Sequence, residues 1–250
     1  MKQLFENDGV ALGMMLSGVS NPAAATMLSS AGMDYLILDM EHGPFDWSDM
    51  AAMIGTARGA GIQPVVRIPE IRRETVLKPL DAGAAGLLVP MVDTVEQAEE
   101  IVRHAKYAPQ GQRGTALRRG HSDYRKNPPV EYMARANDET TIAIQIESRE
   151  ALKNAEALAA VDGVDALFVG PFDLSVDMGL TGQATHPQMR EAYQAVLAAA
   201  KASGKVAGIH LFDLDLAKSL IAEGYQMVSV SSDIDIIVDQ SAANVSALRG

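Results

Sequence analysis

The chain contains no cysteine. Disulfides, thiolate nucleophiles and cysteine-ligated zinc or iron–sulfur centres are therefore excluded, and the composition suits a reducing compartment. Positive charge is also in short supply. Twenty-one Lys and Arg stand against 32 Asp and Glu, for a formal net charge of −11. Phosphate backbones are bound through clustered cations, so a general nucleic-acid surface is not expected. The one basic cluster, Arg113, Arg118, Arg119, Arg125 and Lys126, is local. Long apolar runs are missing too: no segment approaches the roughly 18 residues of a membrane span. Met1–Gly13 carries Glu6 and Asp8 and does not read as a secretory signal. A cytoplasmic protein is expected.

What is present is regular. Hydrophobic residues make up 48% and charged residues 21% of 250 positions, enough chain to bury a core without staples. Short runs rich in Val, Ile and Leu alternate with longer helical patterns. The strand-like runs lie near Ala11–Ser17, Tyr35–Asp39, Pro64–Ile68, Gly86–Pro90, Thr141–Glu147, Ala166–Gly170, Val206–Leu211 and Met227–Val230. Continuous apolar runs of that length suit strands buried on both faces. Helices are expected over Asn21–Ala31, Trp47–Ala60, Arg73–Ala82, Val95–Tyr107, Arg149–Ala160, Pro187–Ser203, Leu214–Glu223 and Asp235–Leu248. Thr94 with Gln97 forms a capping-box pattern, Ser148 is placed to cap the next helix, and Gly61, Gly83, Gly204 and Gly224 each follow a helical run.

Eight βα units of about 30 residues predict a parallel sheet closed as a single (β/α)8 TIM barrel spanning residues 1–250. An open doubly wound sheet is the alternative, but it concentrates its ligand site at one switch point, whereas here polar residues recur at nearly every strand end. No glycine fingerprint follows the first strand, which argues against a nicotinamide enzyme. No glycine-rich loop follows the seventh or eighth, which disfavours a sugar phosphate despite Ser231 and Ser232. Residues 108–137 are polar, basic and punctuated by Pro109, Pro128 and Pro129. That is long for a plain connection, and a functional loop with a short helix near Val130–Arg135 is expected.

In α/β barrels the chemistry sits at the C-terminal ends of the strands. Glu147 and Asp173 arrive there from adjacent strands. Two converging carboxylates repel unless a cation or proton separates them, and oxygen ligands with water suit a hard divalent ion such as Mg²⁺ or Mn²⁺. Helix capping or pairing with arginine is the competing use. His42, in a Glu-His-Gly-Pro turn, is a candidate general base or a loop histidine bonded to backbone. Asp81, near a helix end, either orients His42 or is a solvated charge. Arg67 ends an apolar strand and needs an anionic partner, from the protein or from a substrate. Gly170-Pro171 either admits a substrate to the backbone or makes a tight turn.

The strings Leu38-Asp39-Met40-Glu41-His42-Gly43-Pro44, Val66-Arg67-Ile68-Pro69, Val89-Pro90-Met91-Val92-Asp93-Thr94, Gln145-Ile146-Glu147-Ser148 and Phe168-Val169-Gly170-Pro171-Phe172-Asp173-Leu174-Ser175 together resemble the HpcH/HpaI aldolase family, the metal-dependent class II pyruvate aldolases. Their order covers nearly the whole chain. The resemblance implies cleavage of a 4-hydroxy-2-oxo acid to pyruvate and an aldehyde. It implies a divalent cofactor (Mg²⁺ or Mn²⁺, with Co²⁺ also accommodated) on Glu147 and Asp173. It implies an acid–base role for His42 with Asp81, enolate stabilisation by Arg67, and pyruvate held by Gln145 and the backbone of Gly170, Pro171 and Phe172. It also implies a homo-oligomer, commonly a hexamer of paired subunits; the apolar Ile234–Val238 stretch is compatible with docking on a neighbour or on its own barrel. Three features depart from the family: Met14-Met15 where an aromatic is frequent, a different long-loop string from Arg113 to Tyr124, and His210 where the seventh strand usually ends apolar. These lead to the expectation that His210, Arg119 and His121 recognise a polar or acidic aldehyde. A related lyase acting on citryl-type or phosphoenolpyruvate-type substrates, and a catalytically silent barrel, are the competing functional readings.

Overall fold

A computed structural model describes all residues, 1–250. The strands are β1 (Ala11–Leu16), β2 (Tyr35–Asp39), β3 (Gln63–Arg67), β4 (Gly86–Val89), β5 (Thr141–Ile146), β6 (Ala166–Val169), β7 (Val206–Leu211) and β8 (Met227–Ser232). Each pairs in parallel with the next, and β8 pairs with β1, so the sheet closes into a barrel. The helices are α1 (Ala23–Ser30), α2 (Trp47–Ala60), α3 (Arg73–Ala82), α4 (Val95–Ala105), α5 (Pro129–Glu139), α6 (Arg149–Lys153), α7 (Ala155–Ala159), α8 (Pro171–Asp177), α9 (Pro187–Ala202), α10 (Leu214–Glu223) and α11 (Asp233–Arg249).

Strand parity divides the core in two. Ala11, Met15, Tyr35, Ile37, Val65, Leu88, Ala143, Ala166, Phe168 and Met227 face inward and fill the barrel. The alternate residues, such as Leu36, Leu38, Val66, Leu87, Ile144 and Val228, join the larger cluster beneath the helices. A barrel this narrow is filled by side chains, so large ones need small ones opposite. A Cβ on Gly13 would lie 2.5 Å from the Tyr35 ring, and one on Gly208 would lie 2.5 Å from Phe168. Glycine at both positions lets those rings cross the interior.

The capping signals act as read. Thr94 and Gln97 form the capping box of α4, and Ser148 accepts from Ala151. Asp46, not among the expected caps, accepts from the Ser48 and Asp49 amides at the start of α2. Gly61 and Gly83 end α2 and α3 with φ of 78° and 109°, in the left-handed region that an L side chain resists.

Four features differ from expectation. The helix read over Arg149–Ala160 breaks at Asn154, whose side chain donates to the Asp93 carbonyl (2.8 Å) and so leaves the helical path. Gly170-Pro171 opens α8, with Pro171 in the first turn where its missing N–H costs nothing. The helix expected near Val130–Arg135 extends over Pro129–Glu139. Residues Lys2–Asp8 form 3₁₀ turns broken by a kink at Glu6 and Asn7, and Leu4 and Phe5 pack against the inner cluster and close the barrel floor.

The loop after α4 is stitched at its base. Lys106 is buried and donates to the carbonyls of Asn137 (2.6 Å) and Thr140 (2.7 Å). The Asn137 amide bonds both backbone groups of Tyr107. Barrel helices run antiparallel to the strands, so a loop that follows a helix lies on the face where strands begin.

Candidate active site

The inward parity that fills the lower barrel with apolar side chains delivers polar ones at the strand ends: Asp39, Arg67, Gln145, His210 and Ser229, with Glu147 just beyond β5. Arg67 donates from Nε and Nη2 to the two oxygens of Asp39 (2.9 and 2.7 Å), a bidentate pair, while its Nη1 lies 3.3 Å from Glu41. The buried partner that Arg67 requires is thus a protein carboxylate. Asp39 also accepts from the amides of Glu41 and His42 and from Ser17 Oγ. Burial opposes its ionisation, but the bonds and charge of Arg67 outweigh that and hold the carboxyl below the ordinary range.

Glu147 is buried beneath this pair. One oxygen accepts from the Met91 amide (2.6 Å), the other from Gln145 Nε2 (2.5 Å). Met91 adopts φ 54°, a left-handed conformation unusual for a side chain of its size, and thereby aims its amide at the carboxylate. Burial pushes the Glu147 carboxyl up to about 7; the nearby charges of Glu41 and Asp173 add to the rise, while Met91 N–H and Arg67 oppose it. A Cβ on Gly170 would lie 2.8 Å from Glu147 Oε2 and 3.1 Å from Gln145 Nε2, so this position must lack a side chain. Asp173 sits in the first turn of α8, exposed and without an arginine or lysine partner.

Two carboxylates, the charge of Asp173 adding to the raised proton affinity of Glu147, fit a cation between them. The acceptor Oε1 of Gln145 beside them is buried without a partner. No group of three or more His, Asp or Glu is gathered at metal-binding range. A cation on Glu147 and Asp173 would leave its other positions to substrate and water, as hard oxygen-liganded ions accept.

These groups open into a cavity of about 810 Å³ lined by His42, Arg67, Gln145, Gly170, Pro171, Phe172, Asp173 and His210 among others. Eight of the eleven site residues read from the sequence therefore line this mouth, and Glu147 lies at its wall. His42 is exposed, 4.0 Å from Glu41, with its amide bonded to Asp39. The remaining two, Asp81 and Arg119, are elsewhere. Asp81 sits near the C-terminal end of α3, on the opposite rim, paired with Arg113 (2.9 Å) and 3.8 Å from His121. It does not meet His42 within the chain, because α3 carries it back to the barrel floor. Arg119 and His121 lie on that same face. Arg119 is exposed and donates to the Arg118 carbonyl; His121 bonds Tyr132 and the Ala116 carbonyl. Burial, with Arg113 adding to it, lowers the His121 pKa. Asp39, Glu41, the Met91 amide and Ser229 are contacts that sequence reading had not assigned to the site.

The match to known proteins agrees with this geometry. Residues 12–239 match the model of the HpcH/HpaI aldolase/citrate lyase family. The chain belongs to this family. It is a class II HpcH/HpaI aldolase, a carbon–carbon lyase. It is 37% identical over 220 residues to a 5-keto-4-deoxy-D-glucarate aldolase of Shigella dysenteriae serotype 1, covering 88% of this chain and 85% of that one. The crystal structure of an HpcH/HpaI aldolase from Desulfitobacterium hafniense superposes with a TM-score of 0.96 at 34% identity, covering 100% and 96% of the two chains. A family member from Burkholderia cenocepacia gives 0.91 at 32%, covering 100% and 98%. No helix is long and apolar enough to cross a membrane.

Proposed function

We propose that the chain catalyses reversible cleavage of a 4-hydroxy-2-oxo acid to pyruvate and an aldehyde, with a divalent cation held by Glu147 and Asp173. The observation that carries this reading is the pair of carboxylates without basic partners, one of them raised to about 7, beside a fixed arginine in one cavity. Mg²⁺ or Mn²⁺ suits the all-oxygen donors best, and Co²⁺ is compatible. When bound, the ion supplies Lewis acidity toward the 2-oxo acid. Arg67, locked by Asp39, places a permanent positive charge where negative charge develops on the enolate oxygen. Gln145 and the backbone of Gly170, Pro171 and Phe172 hold the pyruvate portion. His42 takes the proton of the C4 hydroxyl, directly or through one water; the C3–C4 bond then breaks, its electrons passing into the enolate, which is protonated to pyruvate.

The reading extends to assembly. Of the 17 residues of α11 only Asp233 is buried, and Ile234, Ile236, Ile237, Val238, Val245 and Leu248 are exposed. Helical spacing puts Ile234, Ile237, Val238, Val245 and Leu248 on one stripe, an exposed apolar face of the kind that marks an interface, and a second copy of the chain is its occupant. His42 and Asp81 lie on opposite rims of one barrel, so any pairing of the two operates between subunits, as does any contact of Arg119 with an aldehyde. Cleavage of 4-hydroxy-2-oxo acids against a set of acyl-CoA substrates tests the reaction class: turnover of the former alone supports the proposal, and turnover confined to the latter replaces it with a citryl-type lyase.

A further inference from the structure

The pyruvate end of the mouth is built by β5 and β6, through Gln145, Glu147, Gly170 and Asp173. The β7–β8 side carries a different pair. His210 and Ser229 are register partners on those strands, and His210 Nδ1 lies 2.9 Å from Ser229 Oγ. Ser229 is fully buried and its hydroxyl makes no other hydrogen bond. If the ring donated from Nδ1, the serine proton would be left without an acceptor in a site closed to water, which is costly. The hydroxyl therefore donates to Nδ1, and the ring carries its proton on Nε2. Burial, then the charge of Arg67, lowers the His210 pKa to about 4 against the opposing charges of Asp235 and Asp39, so the imidazole is neutral. Phe212 packs edge-on against it, with ring centroids 5.0 Å apart, and fixes its plane. The ring lines the cavity.

We propose that His210, oriented by Ser229, is a specificity-determining residue that presents a neutral Nε2–H donor to the aldehyde portion of the substrate and selects aldehydes bearing a hydroxyl or carboxylate oxygen beyond the carbonyl. The proposal rests on the aldolase reading. A neutral donor serves either oxygen and repels neither. It also rejects a plain alkyl aldehyde, which leaves the N–H without a partner.

The test is condensation of pyruvate with matched aldehydes, glycolaldehyde against acetaldehyde and succinic semialdehyde against pentanal, read as ratios of kcat/KM. The wild type is expected to favour the oxygenated member of at least one pair. His210→Leu should reduce that ratio on the order of ten-fold, mainly by slowing the oxygenated aldehyde. His210→Gln, which keeps an N–H donor, should restore part of it, and Ser229→Ala should reduce it by about two- to five-fold by releasing the tautomer. Nitrogen-15 NMR of the wild-type ring should show the proton on Nε2. Ratios unchanged in both His210→Leu and Ser229→Ala, or a proton on Nδ1, would overturn the proposal. If the wild type condenses pyruvate with no aldehyde, the aldolase reading itself falls. Turnover with flat ratios removes only the role of His210.

Discussion

The two rims of the barrel carry ionisable residues of the same kinds but treat them differently. On the floor, Asp81 is answered by Arg113, and Lys106 by two carbonyls. At the mouth, Asp173 faces no cation, Glu147 is raised to about 7, and the Oε1 of Gln145 has no partner. Burying charge without compensation lowers stability, and in Glu147 the mouth keeps such a group where the floor pairs most of its own. The contrast follows from chain direction: residues after strands build the chemistry, and residues after helices close the fold.

Substitutions at the mouth should therefore change rate foremost, and those on the floor stability. The largest effect is expected from Glu147→Gln, Asp173→Asn and Arg67→Ala, each lowering kcat for pyruvate release by about 10²-fold or more; the melting temperature should hold or rise for the two carboxylate variants and fall for Arg67→Ala, which leaves Asp39 buried without its partner. Gly170→Ala comes next: its methyl would press on Glu147 and Gln145, costing on the order of 1–3 kcal/mol and reducing metal affinity, both measurable by calorimetry. On the floor, Lys106→Met should leave kcat intact and destabilise the fold by about 1–3 kcal/mol through its two orphaned carbonyls. The Lys106 pKa is lowered to about 8 in the folded chain from 10.5, chiefly by burial. The folded state therefore binds fewer protons than the unfolded state between these values. Its contribution is fully present above 10.5 and is lost as pH falls to about 8, so the stability gap between wild type and Lys106→Met should narrow as pH falls from 10.5 to about 8 in urea titrations. Ile237→Asp on α11 should shift the mass seen by light scattering toward a single chain. The smallest effect is expected for Arg119→Ala, which should move stability by no more than about 0.5 kcal/mol; a change in aldehyde preference would show that a neighbouring chain brings Arg119 to the mouth.

Much of the fold was legible because short apolar runs and caps are local signals. The bounds of α2, α3 and α10 coincide with expectation, since Gly61, Gly83 and Gly224 mark their ends, and those of β2 coincide because its apolar run is continuous. The mouth residues were legible because they end strands. Asp81, Arg119 and His121 are expected at the mouth although Asp81 lies in the last turn of a helix and the other two follow one, and the alternation of chain direction, readable from the same pattern, places them on the floor. Asp39 was within reach too: it shares inward parity with Arg67 and stands opposite it in register. The Met91 amide was not, because a left-handed turn aimed at a carboxylate 56 residues away leaves no local trace. Nor was the break at Asn154, which depends on a contact with Asp93 across the barrel face.

The central claim is that Glu147 and Asp173 hold the cation on which pyruvate-forming cleavage depends. It is tested most directly by pyruvate release from 4-hydroxy-2-oxo acids after EDTA treatment, with Mg²⁺, Mn²⁺ or Co²⁺ added back to the wild type and to Asp173→Asn. Release is expected to be abolished by EDTA, restored by metal in the wild type, and restored poorly in Asp173→Asn. Release that survives complete removal of metal, or that recovers equally in both proteins, would contradict it.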